Sequence, residues 1–117
     1  MTPLNTIDYY KKVVSKVGSN KAAGFMRLYM LPGMQHCGGG PGPNRFIGTW
    51  TDADHDMVLA LERWVEGGVV PGAIVAAKLG EHEHVERTRP ICPYPQAAVY
   101  KGSGSVDEAG NFACGVR

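Results

Sequence analysis

The sequence predicts an α/β fold, read as a single partial domain over residues 1–117, and three observations predict it. A helix-periodic stripe precedes a short apolar run, "GFMRLYML". A second helix-periodic stripe precedes another, "AIVAAKL". Glycine, 16 residues in all, clusters between these units and punctuates them. The order helix, strand, loop, helix, strand places a crossover helix between two strands, which is a layered arrangement. Two strands cannot form a parallel sheet covered on both faces. Their neighbours must come from the rest of a larger protein or, by self-association, from a second copy of the chain.

Leu4–Val17 reads as the first helix. Ile7, Tyr10, Val14 and Val17 recur at helical spacing, and Val13 widens the stripe. Asn5 or Thr6 is the expected cap, with Asp8 in the first turn where a negative charge suits the dipole. Gly18, Ser19 and Asn20 end it. Gly24–Leu31 is short, apolar and bounded by glycine and proline, as in a strand buried on both faces. Arg27 is its exception and must reach a sheet end, a carboxylate or solvent. Pro32–Thr51 is a long loop. The next helix is expected from about Asp52 to Glu66, with Met57, Val58, Leu61, Trp64 and Val65 on its apolar face. Thr51, Asp52, Asp54 and Asp56 supply capping groups and N-terminal negative charge. Gly67 and Gly68 stop it, and Ala73–Leu79 is the second strand. "GEHEHVERTRP" is a polar turn or an outer hairpin. From Ile91 onward the expectation is an extended, irregular tail.

Composition narrows the function. A net charge of +1, with Lys and Arg scattered, gives no electrostatic case for nucleic acid or a membrane surface. The longest apolar run, Val69–Ala77, is too short to span a bilayer and is broken by Pro71 and Gly72. The start "MTPLNTIDYYKK" lacks the pattern of a signal peptide. Three cysteines are an odd count. They read either as three reduced thiols or as a Cys92–Cys114 bridge with Cys37 left over.

The candidate sites divide sharply. His36 follows the expected end of a buried strand, where ligands and chemistry gather in open α/β sheets. Glycines after it would let the backbone turn and aim the imidazole back over the sheet. As a triad base it would take a proton from a hydroxyl and return it to a leaving group. On spacing alone, a structural loop histidine is the competing reading. "GGGPGP" lacks the Gly-Lys-Ser/Thr ending of a phosphate loop. "DADHD" resembles the start of a calcium loop, but Met57 and Arg63 stand where a glycine and a glutamate are needed, so helix capping accounts for it better. "EHEH" at Glu81–His84 is a charged turn before it is a metal site. Cys37 and His36 are adjacent in sequence and seldom aim at each other as a thiol–imidazole pair. No metal or other cofactor is expected. The serines, Ser15, Ser19, Ser103 and Ser105, lie outside any Gly-x-Ser-x-Gly elbow.

Four stretches taken together resemble one family. "PLNTIDYY" (Pro3–Tyr10), "RLYMLPGMQHCGGGPGPN" (Arg27–Asn44), "ALERWVEGGVVPGAIVAAK" (Ala60–Lys78) and "RTRPICPYPQAAVYKGSGSVDEAGNFAC" (Arg87–Cys114) resemble the C-terminal portion of tannases and feruloyl esterases. The resemblance implies the C-terminal segment of an α/β-hydrolase serine esterase acting on aromatic carboxylic esters, with one branch cleaving a terephthalate monoester. It implies that His36 is the general base. It further implies that Cys37 pairs with a cysteine next to the catalytic serine, and Cys92 with Cys114. The family's Cys-Ser element and catalytic aspartate lie upstream of the matching stretches, and neither they nor a lid domain are found in these residues. Asp8 is on the wrong element to replace the aspartate. The expectation is therefore a chain inactive alone, a complementing half, or a self-associating module in which Cys37 pairs with Cys37 of a second copy. Cellular location is left open, since the family is largely exported.

Overall fold

The structure, a computed structural model, describes residues 2–117. Helix α1 spans Pro3–Val17, with Pro3 in its first turn, where a missing N–H costs nothing. Its cap position is Thr2 rather than Asn5 or Thr6, and Asp8 lies beyond the first turn, paired with Lys12 one helical turn on. The expected stripe is borne out: Ile7, Tyr10, Val13, Val14 and Val17 are half-buried. Tyr10 meets Tyr94 edge to face at 5.7 Å between centroids. A short helix, α2 (Ser19–Ala23), follows and buries Ala22.

The strand expected at Gly24–Leu31 is largely not formed. Only Tyr29 makes a bridge, antiparallel to Pro93, with the Tyr94 amide donating to the Leu28 carbonyl. Pairing is not a local property, and among the described residues no second strand lies along this segment. Arg27 finds no carboxylate. Its guanidinium donates to the carbonyls of Ala23 and Met26, at 2.6 and 3.1 Å, and lies over the Trp64 ring at 5.5 Å.

Helix α3 spans Met57–Gly67, five residues shorter at its start than expected. The reason is Asp56, whose carboxylate accepts from the amides of Val58 (2.8 Å) and Leu59 (3.1 Å) and so caps the helix there. The same carboxylate accepts from the Gly48 amide at 2.6 Å, tying the long loop to the helix start. Chiefly that amide holds the Asp56 carboxyl below the usual range, against the opposing effect of burial and with help from Leu59 and Val58. Asp52 instead accepts from the Asp54 amide and pairs with His55 in a separate turn.

Strand β1 (Ile74–Leu79) pairs antiparallel with β2 (Val85–Ile91) through the outer hairpin. Pro90 stands in β2 opposite Val75, and the Val75 amide points away from β2, to the Asp54 carbonyl. Pro90 therefore occupies a site that needs no donor toward β1, which is how a strand tolerates proline. The tail is not irregular. β3 (Ala97–Tyr100) and β4 (Phe112–Gly115) form a second antiparallel pair. A Cys92–Cys114 disulfide joins the segment just after β2 to β4. Helices and sheets are both present, but every strand pairing among the described residues is antiparallel, not the parallel arrangement expected.

The core is small: Ala22, Ala60, Ile74, Ala76, Ala77, Ile91, Cys92 and Phe112. On α3 the apolar residues divide. Ala60 is buried, Met57 and Trp64 are half-buried, and Val58, Leu61 and Val65 form an exposed stripe beside Phe25.

Candidate active-site loop

The loop after Leu31 is built backbone against backbone. The Gly42 amide donates to the Gly33 carbonyl at 2.9 Å and closes a neck. A side chain at Gly40 would collide with the Gly33 carbonyl, and Gly40 also holds φ +89°. The glycine-rich run is thus explained by close chain approach, with no need for a phosphate. Beyond the neck, the Gly38 amide donates to the Gln35 carbonyl and the Gln35 amide to the Gly39 carbonyl, both at 3.3 Å. His36 and Cys37 are the two central residues of that turn, and Cys37 takes φ +61°.

Two residues of β1 fasten the loop. The Ala77 carbonyl accepts from the Asn44 and Arg45 amides, and its own amide donates to the Arg45 carbonyl at 3.0 Å. Lys78 donates from Nζ to the Gly40 carbonyl at 2.7 Å. A cleft of about 590 Å³ opens between loop and strand, lined by Met34, Cys37, Arg45, Phe46, Lys78 and Leu79 among others.

His36 and Cys37 are both exposed, and Cys37 is a free thiol. Among the described residues no carboxylate pairs with the His36 ring and no hydroxyl bonds to it. Ser15 and Ser19 lie in α1 and α2, while Ser105 serves the tail turn by accepting from the Asp107 amide. The structure therefore brings His36 and Cys37 together at the loop tip but gathers no acid or nucleophile around them. His82 lies within an exposed turn at Glu81–Glu83 and His84 just after it, and no group of three or more metal-ligating side chains forms among the described residues. The sequence reading missed the Lys78 bond. The signal was present, as a lone cation in the otherwise apolar run "AIVAAKL".

A family model described as "Tannase and feruloyl esterase" matches residues 1–115. The chain belongs to the tannase and feruloyl esterase family. It is 46% identical over 113 residues to a mono(2-hydroxyethyl) terephthalate hydrolase of Piscinibacter sakaiensis, covering 95% of this chain and 17% of that protein. It superposes on the crystal structure of feruloyl esterase B from Aspergillus oryzae with a TM-score of 0.84 and 30% identity, covering 97% of this chain and 24% of that one. The tannin acyl hydrolase of Aspergillus niger shares the fold, with a TM-score of 0.72 at 20% identity. The resemblance carried by the His-Cys and Arg-Pro-x-Cys-Pro-Tyr-Pro stretches is thus confirmed. The chain spans about a fifth of the length of the relatives it matches.

Proposed function

We propose that these residues form the histidine-bearing, C-terminal segment of an α/β-hydrolase serine esterase acting on aromatic carboxylic esters. His36 is its general base. It removes the proton from an attacking serine hydroxyl and delivers it to the departing alcohol. The observation that carries the reading is His36 at the tip of a glycine-clasped, strand-anchored turn, exposed and without an acid partner of its own, in a chain of an esterase family. Neither a Cys-Ser element nor an elbow serine occurs in the 117 residues, so these residues alone give no turnover. Cys37, exposed on the same turn, bonds to a cysteine on other polypeptide beside the nucleophile. The substrate class follows the names of the relatives, a terephthalate monoester hydrolase and feruloyl esterases.

A chimera tests this. The matching segment of the Piscinibacter sakaiensis hydrolase is replaced by this chain and assayed on mono(2-hydroxyethyl) terephthalate. Turnover is expected, and His36→Ala should lower kcat at least about 10³-fold. Equal activity of the two chimeras, or turnover by the isolated chain that His36→Ala abolishes, refutes the reading.

A second reading, a self-associating module, is favoured by one surface. Phe25, Leu61 and Val65 are 58%, 54% and 77% exposed, and Phe25 and Leu61 line a cleft with Met26, Arg27 and Tyr29 of a segment that is paired only at Tyr29. An antiparallel pairing of that segment with its copy would cover both. Light scattering should then give a dimer that Leu61→Lys dissociates, whereas a monomer rejects it.

A further inference from the structure

We propose that Lys78 is the positioning residue for His36, pinning from β1 the turn that carries the imidazole. The argument rests on the reading of His36 as the base, but its geometry stands apart from that reading. β1 is the best-fixed element near the loop. Ala76 and Ala77 are fully buried, and the strand bonds to β2 on one edge and to Arg45 and Asp54 on the other. Ala77 grips the returning limb of the loop through its backbone, and Lys78, the next residue, grips the limb nearer the tip through its side chain.

The turn itself is weakly closed. Both of its internal bonds are 3.3 Å long, at the edge of useful geometry. The Lys78 bond is 2.7 Å, half-buried and charge-assisted, hence roughly twice as strong as a neutral bond. Its acceptor lies between the turn and the neck. Gly40 is pressed against the Gly33 carbonyl on the side where a Cβ would lie, and the Gly33–Gly42 bond closes the neck two residues on. Pulling the Gly40 carbonyl onto β1 therefore fixes the level at which residues 35–39 stand, and with them His36. Without the ammonium the tip keeps only its own long bonds and the neck. Its imidazole then samples positions from which the hydroxyl proton is out of reach, and misplacement by about 1 Å can cost about 10²-fold in rate.

Lys78→Met removes the donor and keeps the stem. Lys78→Arg restores a donor of similar reach. In the full chain, amide exchange at Gln35, Gly38 and Gly42 should quicken about tenfold in Lys78→Met, as expected for loss of one local clamp. Exchange at Ala77 should stay unchanged. Lys78→Arg should restore slow exchange at all three of those amides, Gln35, Gly38 and Gly42. In the chimera, Lys78→Met should lower kcat by about 10- to 100-fold with KM held within about twofold, and Lys78→Arg should recover most of it. If Lys78→Met does not fold, Lys78→Gln, too short to reach Gly40, takes its place with the same expectations. Unchanged exchange at Gly38 and Gly42 overturns the proposal, as does faster exchange with unchanged kcat. Loop loosening in a chimera whose activity ignores His36→Ala overturns instead the assignment of the base.

Discussion

Asp56 is the charged side chain most fully buried in this chain, at 4% exposure, and its removal should be costly in a calculable way. Asp56→Ala strands three backbone amides, those of Gly48, Val58 and Leu59. Loss of a helix cap alone costs about 1–2 kcal/mol. The Gly48 bond, at 2.6 Å to a carboxylate, adds about 1 kcal/mol. The sum is about 2–3 kcal/mol, which for a chain of this length lowers Tm by about 10 °C. Asp56→Asn keeps an acceptor and should lose about half as much. Urea titrations should show the midpoint shifting with an unchanged slope. The pH dependence has a definite sign. The folded carboxyl titrates below its unfolded value of about 3.9, so its stabilisation is full above that pH and is lost as pH falls through the folded value. The unsubstituted chain should therefore lose stability below about pH 4 more steeply than Asp56→Asn. A cost for Asp56→Ala under about 0.5 kcal/mol, or identical acid limbs for the two proteins, would refute the reasoning.

Two further perturbations probe the tail and the loop. Replacing Cys92 and Cys114 together by alanine opens a crosslink between residues 22 apart, and chain entropy puts the loss at about 3 kcal/mol, measured as a midpoint shift that reducing agent reproduces in the unsubstituted chain. Gly40→Ala combines left-handed strain of about 1–2 kcal/mol with a collision against the Gly33 carbonyl, so the Gly42 amide should exchange faster and the melting temperature should fall.

What the sequence could foretell follows the range of the forces involved. The α1 stripe was legible because helix periodicity and burial act within one turn or two, and all five stripe residues are half-buried. β1 was legible because its run is apolar but for Lys78. The end of the long loop was misread because Asp52, Asp54 and Asp56 all look like caps, and only the third receives the helix amides. The 24–31 run was misread as a formed strand, since apolarity marks a segment fit for pairing without supplying the partner. β3 and β4 went unseen because four-residue strands such as "AAVY" and "FACG" carry too little alternation, and the disulfide beside them supplies what side-chain burial does not. At the site, His36 and Cys37 were visible as residue types. The grip of β1 on their loop was not, because it joins residues 38 apart in sequence through one ammonium.

Among the described residues, four alanines are buried, Ala22, Ala60, Ala76 and Ala77, the last two on β1. Ala76 and Ala77 are fully enclosed there, so a step as small as Ala→Val at either must displace neighbouring atoms. The histidine loop thus hangs from a strand with little room for larger side chains.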